Sequence, residues 1–230
     1  MKILIISDVH ANLEALSALP ESGDELWVLG DLVDYGPNPR EVVTLLRSRA
    51  DIVVRGNHDQ AVGFEDDTRC TPRCRKMAIE TRDITSRLLP GDLTHFLQQL
   101  PVHKLVERDG KRFYLCHAVP SEPLYGYCPE NSTRWANEIE SLAVDYLLVG
   151  HTHMPFIRQV NGTTVVNPGS LGQPKTGRPD ACYAVWNDDH FELKQFSYPY
   201  TETIQKVERL PVSCDVKHDL ETVLLSGSLV

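Results

Sequence analysis

Residues 1–12 read MKILIISDVHAN, residues 25–38 read ELWVLGDLVDYGPN, and residues 51–59 read DIVVRGNHD. In each stretch a short, nearly unbroken apolar run meets a serine or glycine and then side chains able to hold a cation. Apolar runs without polar alternation mark strands covered on both faces, as in a parallel sheet. Strands are therefore expected at residues 2–7, 26–29 and 51–55. Between them, residues 11–19 and 39–49 carry apolar side chains at helical spacing, with Pro39 suited to a first helical turn. The opening of the chain reads β-α-β-α-β.

Further along, residues 71–100 have a helical pattern interrupted at Pro90 and Gly91. Strands are expected at 102–106 and 113–116 around a turn at Asp109 and Gly110, and at 144–149. Residues 156–160 and 163–166 flank Asn161 and Gly162, a strong hairpin signal. Residues 181–186 and 191–197 pair around 187–190 in the same manner. The chain thus opens as α/β and closes as antiparallel β. This predicts an α/β fold, α+β in part: a two-sheet β-sandwich flanked by helices. No internal repeat or domain boundary is visible, so a single domain is expected over residues 1–230, with 210–230 as a C-terminal extension to which the sequence assigns no role.

Thirty-two acidic residues against 23 Lys and Arg give a net charge of -9, which argues against a surface that grips long nucleic acid through its phosphates. A local positive site would have to come from bound metal. No apolar stretch has the length of a membrane span, and the N-terminal run lacks a small-residue cleavage site, so a cytoplasmic protein without membrane attachment is expected. The six cysteines form no dense framework, which favours reduced thiols; Cys70 and Cys74 lack a second matching pair and read as ordinary thiols rather than a zinc site. Homo-oligomerisation is compatible with this composition.

The chemistry-bearing residues fall where strands end, the place at which an open α/β sheet presents its functional groups. Asp8 and His10 follow the first strand, Asp31 the second, Asn57 and His58 the third, His117 the strand at 113–116, and His151 and His153 the strand at 144–149. Alternate residues of an extended segment point the same way, so Asp8 and His10, like His151 and His153, are expected to reach one cluster. Gly30, Gly56 and Gly150 each precede a candidate ligand and let the backbone come close. Carboxylate, imidazole and amide oxygen suit Mn, Fe, Zn or Ni, whereas Ca favours oxygen alone. Any one of these residues alone reads as a helix cap or a surface side chain; the ordered set does not.

Taken in order, DVHAN, GDLVDYGPNP, GNHD, the isolated His117 and GHTH resemble the signature of calcineurin-like metallophosphoesterases. The likeness spans residue 1 to about 186. It is closest to the small bacterial branch, which shows stretches similar to HAVPSEPLYGY from His117 and NPGSLGQP from Asn167. The resemblance implies two divalent metal ions, Mn first, with Fe, Zn or Ni as alternatives. It implies that Asp8, His10 and His153 hold one ion, that Asn57, His117 and His151 hold the other, and that Asp31 bridges them. A metal-bridging hydroxide would then attack a small phosphodiester or phosphomonoester, nucleotides among them. His58 resembles the family histidine that faces the leaving group, with Asp59 expected to orient it and Asp34 expected either to cap a turn or to position His10. Before His117 the chain has Leu-Cys rather than a glycine-rich run, and Val119 replaces a small polar residue, which affects the shape of the pocket rather than the metals.

Substrate binding is expected from Asn57 and from a small anion nest at Asn167, Gly169 and Ser170, with a purely structural turn as the alternative. Tyr35, Arg55, Tyr125 and Tyr127 are candidates for lining the pocket, and Trp27, Trp135 and Trp186 for the core. No Arg or Lys cluster follows the ligand motifs apart from Arg55 and Arg178, so model diesters are expected to react at least as well as monoesters. Two other readings share the fold. One is a serine/threonine protein phosphatase, which needs a peptide groove; the other is a non-catalytic scaffold, which this full ligand set disfavours.

Overall fold

On the first strand, Ile3 and Ile5 face one way while Leu4 and Ile6 face the other, and all four are buried. This double burial is why the run carries no polar alternation. The computed structural model describes residues 1–228, so the last two residues of the 210–230 extension lie outside the described residues. The first sheet has the order β10-β9-β1-β2-β3, formed by β1 (Lys2–Ile6), β2 (Glu25–Val28), β3 (Ile52–Val53), β9 (Ala181–Asn187) and β10 (His190–Phe196). Within it, β1, β2 and β3 are parallel, and β9 runs antiparallel to β1. The second sheet has the order β4-β5-β6-β8-β7, formed by β4 (His103–Arg108), β5 (Lys111–Cys116), β6 (Tyr146–Leu148), β7 (Phe156–Val160) and β8 (Thr163–Asn167).

The sheets face each other across Ile3, Ile5, Trp27, Leu29, Phe113, Leu115, Leu148 and Trp186. The Phe113 ring meets Trp27 and Trp186 edge-on, with centroids 5.1 and 5.2 Å away. Each such fully buried large side chain contributes about 1.5–3 kcal/mol by leaving water. Leu4, Ile6 and Val28 cover the opposite face and pack against α1 (Leu13–Ser17), α2 (Pro39–Arg49) and α5 (Gly91–Gln99). On the outer face of the second sheet, Trp135 and Ile139 of α6 (Trp135–Ile139) cover Leu147, Val149 and Val165. A further cluster joins α4 (Pro72–Leu88) to α7 (Tyr200–Val207) and α8 (Cys214–Ser226). All three tryptophans are core residues, as expected.

One expectation needs revision. The closing half is not simply antiparallel, because β5, β6 and β8 run parallel. The Asn161-Gly162 hairpin fixes only that β7 and β8 are neighbours; it leaves open which of them joins β6, and the chain places β8 there. GNHD opens α3 (Asn57–Phe64). The outcome is that β1, β2, β3, β5 and β6 release their chains toward one rim of the sandwich, and each carries candidate ligands there.

Candidate metal centre

The turn after β1 is held by three backbone bonds, Asp8 N–H to Gly30 O at 3.0 Å, His10 N–H to Asp31 O at 2.9 Å and Ala11 N–H to Leu32 O at 2.8 Å. The segment is nevertheless not extended. Asp8 and His10 have φ of 52° and 46°, Asp31 55°, His151 64° and His153 61°. Convergence therefore arises from left-handed turns rather than from the strand alternation expected, and Asp and His are among the non-glycine residues that tolerate this region best. Each such residue costs on the order of 1 kcal/mol or more, strain that a bound cation can offset. Two glycines permit the close approach. A Cβ at Gly56 would lie 2.1 Å from Asp31 Oδ1, and one at Gly150 would lie 2.0 Å from Ser7 Oγ.

Side chains from five strand ends meet in three overlapping groups: Asp8, His10 and His153; His10, Asp31 and His58; and Asp31, His117 and His151. Asp31 Oδ2 lies 3.8 Å from His10 Nε2 and 3.2 Å from His117 Nε2, so it stands between the two halves. Asn57 Oδ1 lies 3.0 Å from His117 Nε2, and its amide nitrogen donates to Thr68 O at 2.8 Å, which turns the oxygen toward the cluster. The Nδ1 atoms of His10, His117 and His153 face the carbonyl oxygens of Val33, Leu29 and Gln173 at 3.0, 2.7 and 2.6 Å. Each Nδ1 therefore carries a hydrogen, which leaves Nε2 as the atom directed at the cluster.

These residues fit a metal. His10 Nε2 and His153 Nε2 face each other at 3.3 Å, and Asp8 Oδ1 is buried without a hydrogen-bond partner 3.4 Å from His153 Nε2. Opposed lone pairs and an orphaned carboxylate oxygen are costly in a buried site unless a cation lies among them. The electrostatics agree. Burial, reinforced by Asp31, pushes the Asp8 carboxyl up, and burial pushes His10 and His151 down to about 3, so both imidazoles are neutral donors. Burial would also raise Asp31, but His117 and His58 outweigh it and hold the carboxyl well below its usual range. A family model of the calcineurin-like phosphoesterase superfamily domain matches residues 1–189. The chain belongs to that superfamily.

Among curated proteins, this calcineurin-like phosphoesterase is 30% identical to an uncharacterized protein of Methanocaldococcus jannaschii, over 91% of this chain and 93% of that one. It is 29% identical to Phosphodiesterase YfcE of Escherichia coli, over 82% of this chain and 89% of the relative. Among solved structures it is similar to a metallophosphoesterase from Sphaerobacter thermophilus, with a TM-score of 0.82, 29% identity, and coverage of 96% of this chain and 99% of that one. The two-sheet architecture is thus that of the superfamily, and the sequence's resemblance to it holds over nearly the whole chain.

Other candidates of this phosphoesterase sit differently from expectation. His58 is buried beside the cluster, but its Nδ1 meets Asp34 Oδ2 at 2.8 Å, so Asp34, not Asp59, orients it. Asp59 instead accepts the backbone N–H groups of Asp31, Leu32 and Gly56 at 2.8, 2.8 and 2.9 Å, an arrangement that places Asp31. His10 is positioned by Val33 O rather than by Asp34. Asn167, Gly169 and Ser170 form no open nest. The Asn167 amide donates to Gly150 O and Thr152 Oγ1 and accepts from Gly169 N–H, while Ser170 Oγ donates to Asp8 O and accepts from Gln173 N–H. All three are buried and brace the ligand turns.

A cavity of about 160 Å3 opens over the cluster, with Asp31, Asn57, His58, His151 and His153 in its floor. Tyr35, Tyr125 and Tyr127 line it, as expected, together with Cys70, Cys74, Arg69, Thr71 and Lys175, which the sequence did not single out for the site. Arg55 does not line it: its guanidinium donates to Gln98 O at 3.1 Å and lies over the Phe64 ring. Arg178 packs by its backbone against Gly227. No helix among the described residues is long and apolar enough to cross a membrane.

Proposed function

We propose that this chain is a cytoplasmic dinuclear phosphoesterase acting on small phosphate esters, with Mn as the first candidate metal. The observation that carries this reading is Asp31, whose carboxylate stands between two groups of imidazole side chains that converge on it. Asp8, His10 and His153 would hold one ion, Asn57, His117 and His151 the other, and Asp31 both. Bound there, the ions would supply Lewis acidity toward the phosphoryl group and lower the pKa of the attacking water.

The chain's own residues account for the rest. Hydrolysis forms a P–O bond from water oxygen and breaks the ester P–O bond, whose electron pair stays on the leaving oxygen. That oxygen needs a proton. Burial opposes protonation of His58, but Asp31 and Asp34 outweigh it and raise its pKa above the usual value. With Nδ1 held by Asp34, the Nε2 hydrogen is the one available to the leaving group, so His58 is the proposed general acid. The modest cavity supports small esters over a peptide substrate.

Elemental analysis of the purified protein and of Asp31→Ala tests the metal assignment. The wild type is expected to hold two ions per chain, and the variant to lose more metal than any other single-ligand variant. Two ions retained in Asp31→Ala would remove the bridging role. Hydrolysis of bis-nitrophenyl phosphate by the Mn-loaded wild type tests the activity.

A further inference from the structure

Two cations stand over the cluster without a carboxylate partner. Lys175 is half-buried and Arg69 exposed, both line the cavity, and among the described residues neither lies within ion-pair distance of an acid. Lys2, Arg47, Arg75, Arg108, Lys194 and Lys206 meet carboxylates elsewhere, whereas Arg69 and Lys175 are the Lys and Arg side chains that line this cavity. Arg69 also lies over an aromatic ring, its guanidinium carbon 4.2 Å from the Tyr125 centroid. That contact leaves the edge of the guanidinium free for bidentate hydrogen bonding.

Both cations ride on loops that also orient metal ligands. Thr68 O, next to Arg69, accepts from the Asn57 amide, and Gln173 O, two residues from Lys175, faces His153 Nδ1. The Lys175 loop is further pinned by Leu171 N–H to Ser7 O and Gly172 N–H to Asp8 O at 2.9 and 3.0 Å. Arg69 thus stands on the Asn57 side of the cluster and Lys175 on the His153 side.

Charge decides what these residues are for. On the dinuclear reading above, two divalent ions set against the Asp8 and Asp31 carboxylates and the attacking hydroxide leave a surplus of about one positive charge, enough for a diester monoanion. Two further cations in the same cavity exceed what a diester or a monoester supplies. We propose that Arg69 and Lys175 form a second anion subsite, which selects esters bearing a further phosphate beyond the one that reacts. This replaces the expectation that no basic residues clamp extra phosphate charge.

The test compares nitrophenyl esters of thymidine 5′-monophosphate and of the terminal phosphate of thymidine 5′-triphosphate, which share a leaving group and differ in phosphate count. Metal-loaded full-length protein is used, with metal content measured for each variant. The wild type is expected to favour the triphosphate ester in kcat/KM, with Lys175→Gln and Arg69→Gln each lowering that ratio by about tenfold. Calorimetry with AMP and the α,β-methylene analogue of ADP gives the same comparison without turnover: tighter binding of the analogue by the wild type, lost in the double variant. A ratio near one in the wild type, or a ratio unaltered in the double variant, overturns the subsite. Failure of fully metal-loaded protein to hydrolyse any ester would instead refute the phosphoesterase reading, and calorimetry would still decide the subsite.

Discussion

At the scale of single residues, the proposed general acid His58 and its partner Asp34 are the pair that a leaving-group comparison tests. His58→Ala is expected to leave metal content nearly intact and to lower turnover by about two to four orders of magnitude for a poor leaving group. The loss should shrink with nitrophenolate, which needs no proton. Asp34→Asn is a finer probe, because Asp34 acts only through His58, at 2.8 Å. Removing one of the two carboxylates that keep the imidazolium charged lowers the His58 pKa. A general acid must be protonated to work, so the alkaline fall of kcat/KM should begin at lower pH in Asp34→Asn, with turnover reduced about 10–100-fold. An unshifted alkaline limb would remove the positioning role. The seven candidate ligands were legible in the sequence because Asp, His and Asn stand at strand ends, three of them directly after a glycine. The partner of His58 was not: Asp59 is adjacent in sequence, yet α3 turns its carboxylate toward the backbone of residues 31 and 32.

At the scale of elements, the N-terminus of α3 is where fold and site meet. Asn57 and His58 are its first residues, and Asp59 ties that turn to the Asp31 loop through three backbone N–H groups. Asp59→Asn keeps the shape but replaces one accepting oxygen by an amide that faces donors. It is therefore expected to destabilise the protein by about 1–3 kcal/mol and to weaken metal retention, read by denaturant titration and elemental analysis. Gly56→Ala should be more severe for the metal, since its Cβ would fall 2.1 Å from Asp31 Oδ1. Full metal content in Gly56→Ala would show that the Asp31 turn yields more easily than this packing allows. Of the longer helices, α2 matches its expected residues 39–49 and α4 and α5 fall within the helical pattern at 71–100, whereas α8 was not read from the sequence. By contrast α3 is short and buried around much of its circumference, with Asn57, His58, Asp59, Ala61 and Val62 all inside, so it shows no polar face to betray a helix. Arg69 and Lys175 lie on loops, where no period reports side-chain direction.

At the scale of the whole molecule, the region from 210 onward, which the sequence left without a role, braces the site from behind. Val216, Leu220 and Leu224 of α8 share a core cluster with Tyr35 and with α7. Thr203 of α7 donates to Glu14, and Lys206 meets both Glu14 and Asn38, which ties the C-terminal helices to α1 and to the loop before α2. Beyond α8, Gly227 sits in the left-handed region at φ 62°, and its carbonyl accepts the Gly177 N–H at 2.9 Å. A Cβ on Gly227 would lie 2.0 Å from Arg178 O. This close contact anchors the far end of the segment that carries Gln173, whose carbonyl fixes His153, and Lys175. Gly227→Ala must therefore either strain its own backbone or push residues 177 and 178 away. The expected cost is about 1–3 kcal/mol, which for a chain of this length lowers Tm by roughly 2–12 °C. Because the other end of the loop stays pinned to Ser7 and Asp8, metal content should hold while KM for a multiply phosphorylated ester rises and amide exchange in residues 173–178 quickens. Thermal melting, elemental analysis and hydrogen exchange on one preparation would separate these effects, and unchanged exchange in that segment would show that the C-terminal helices stabilise the fold without reaching the site.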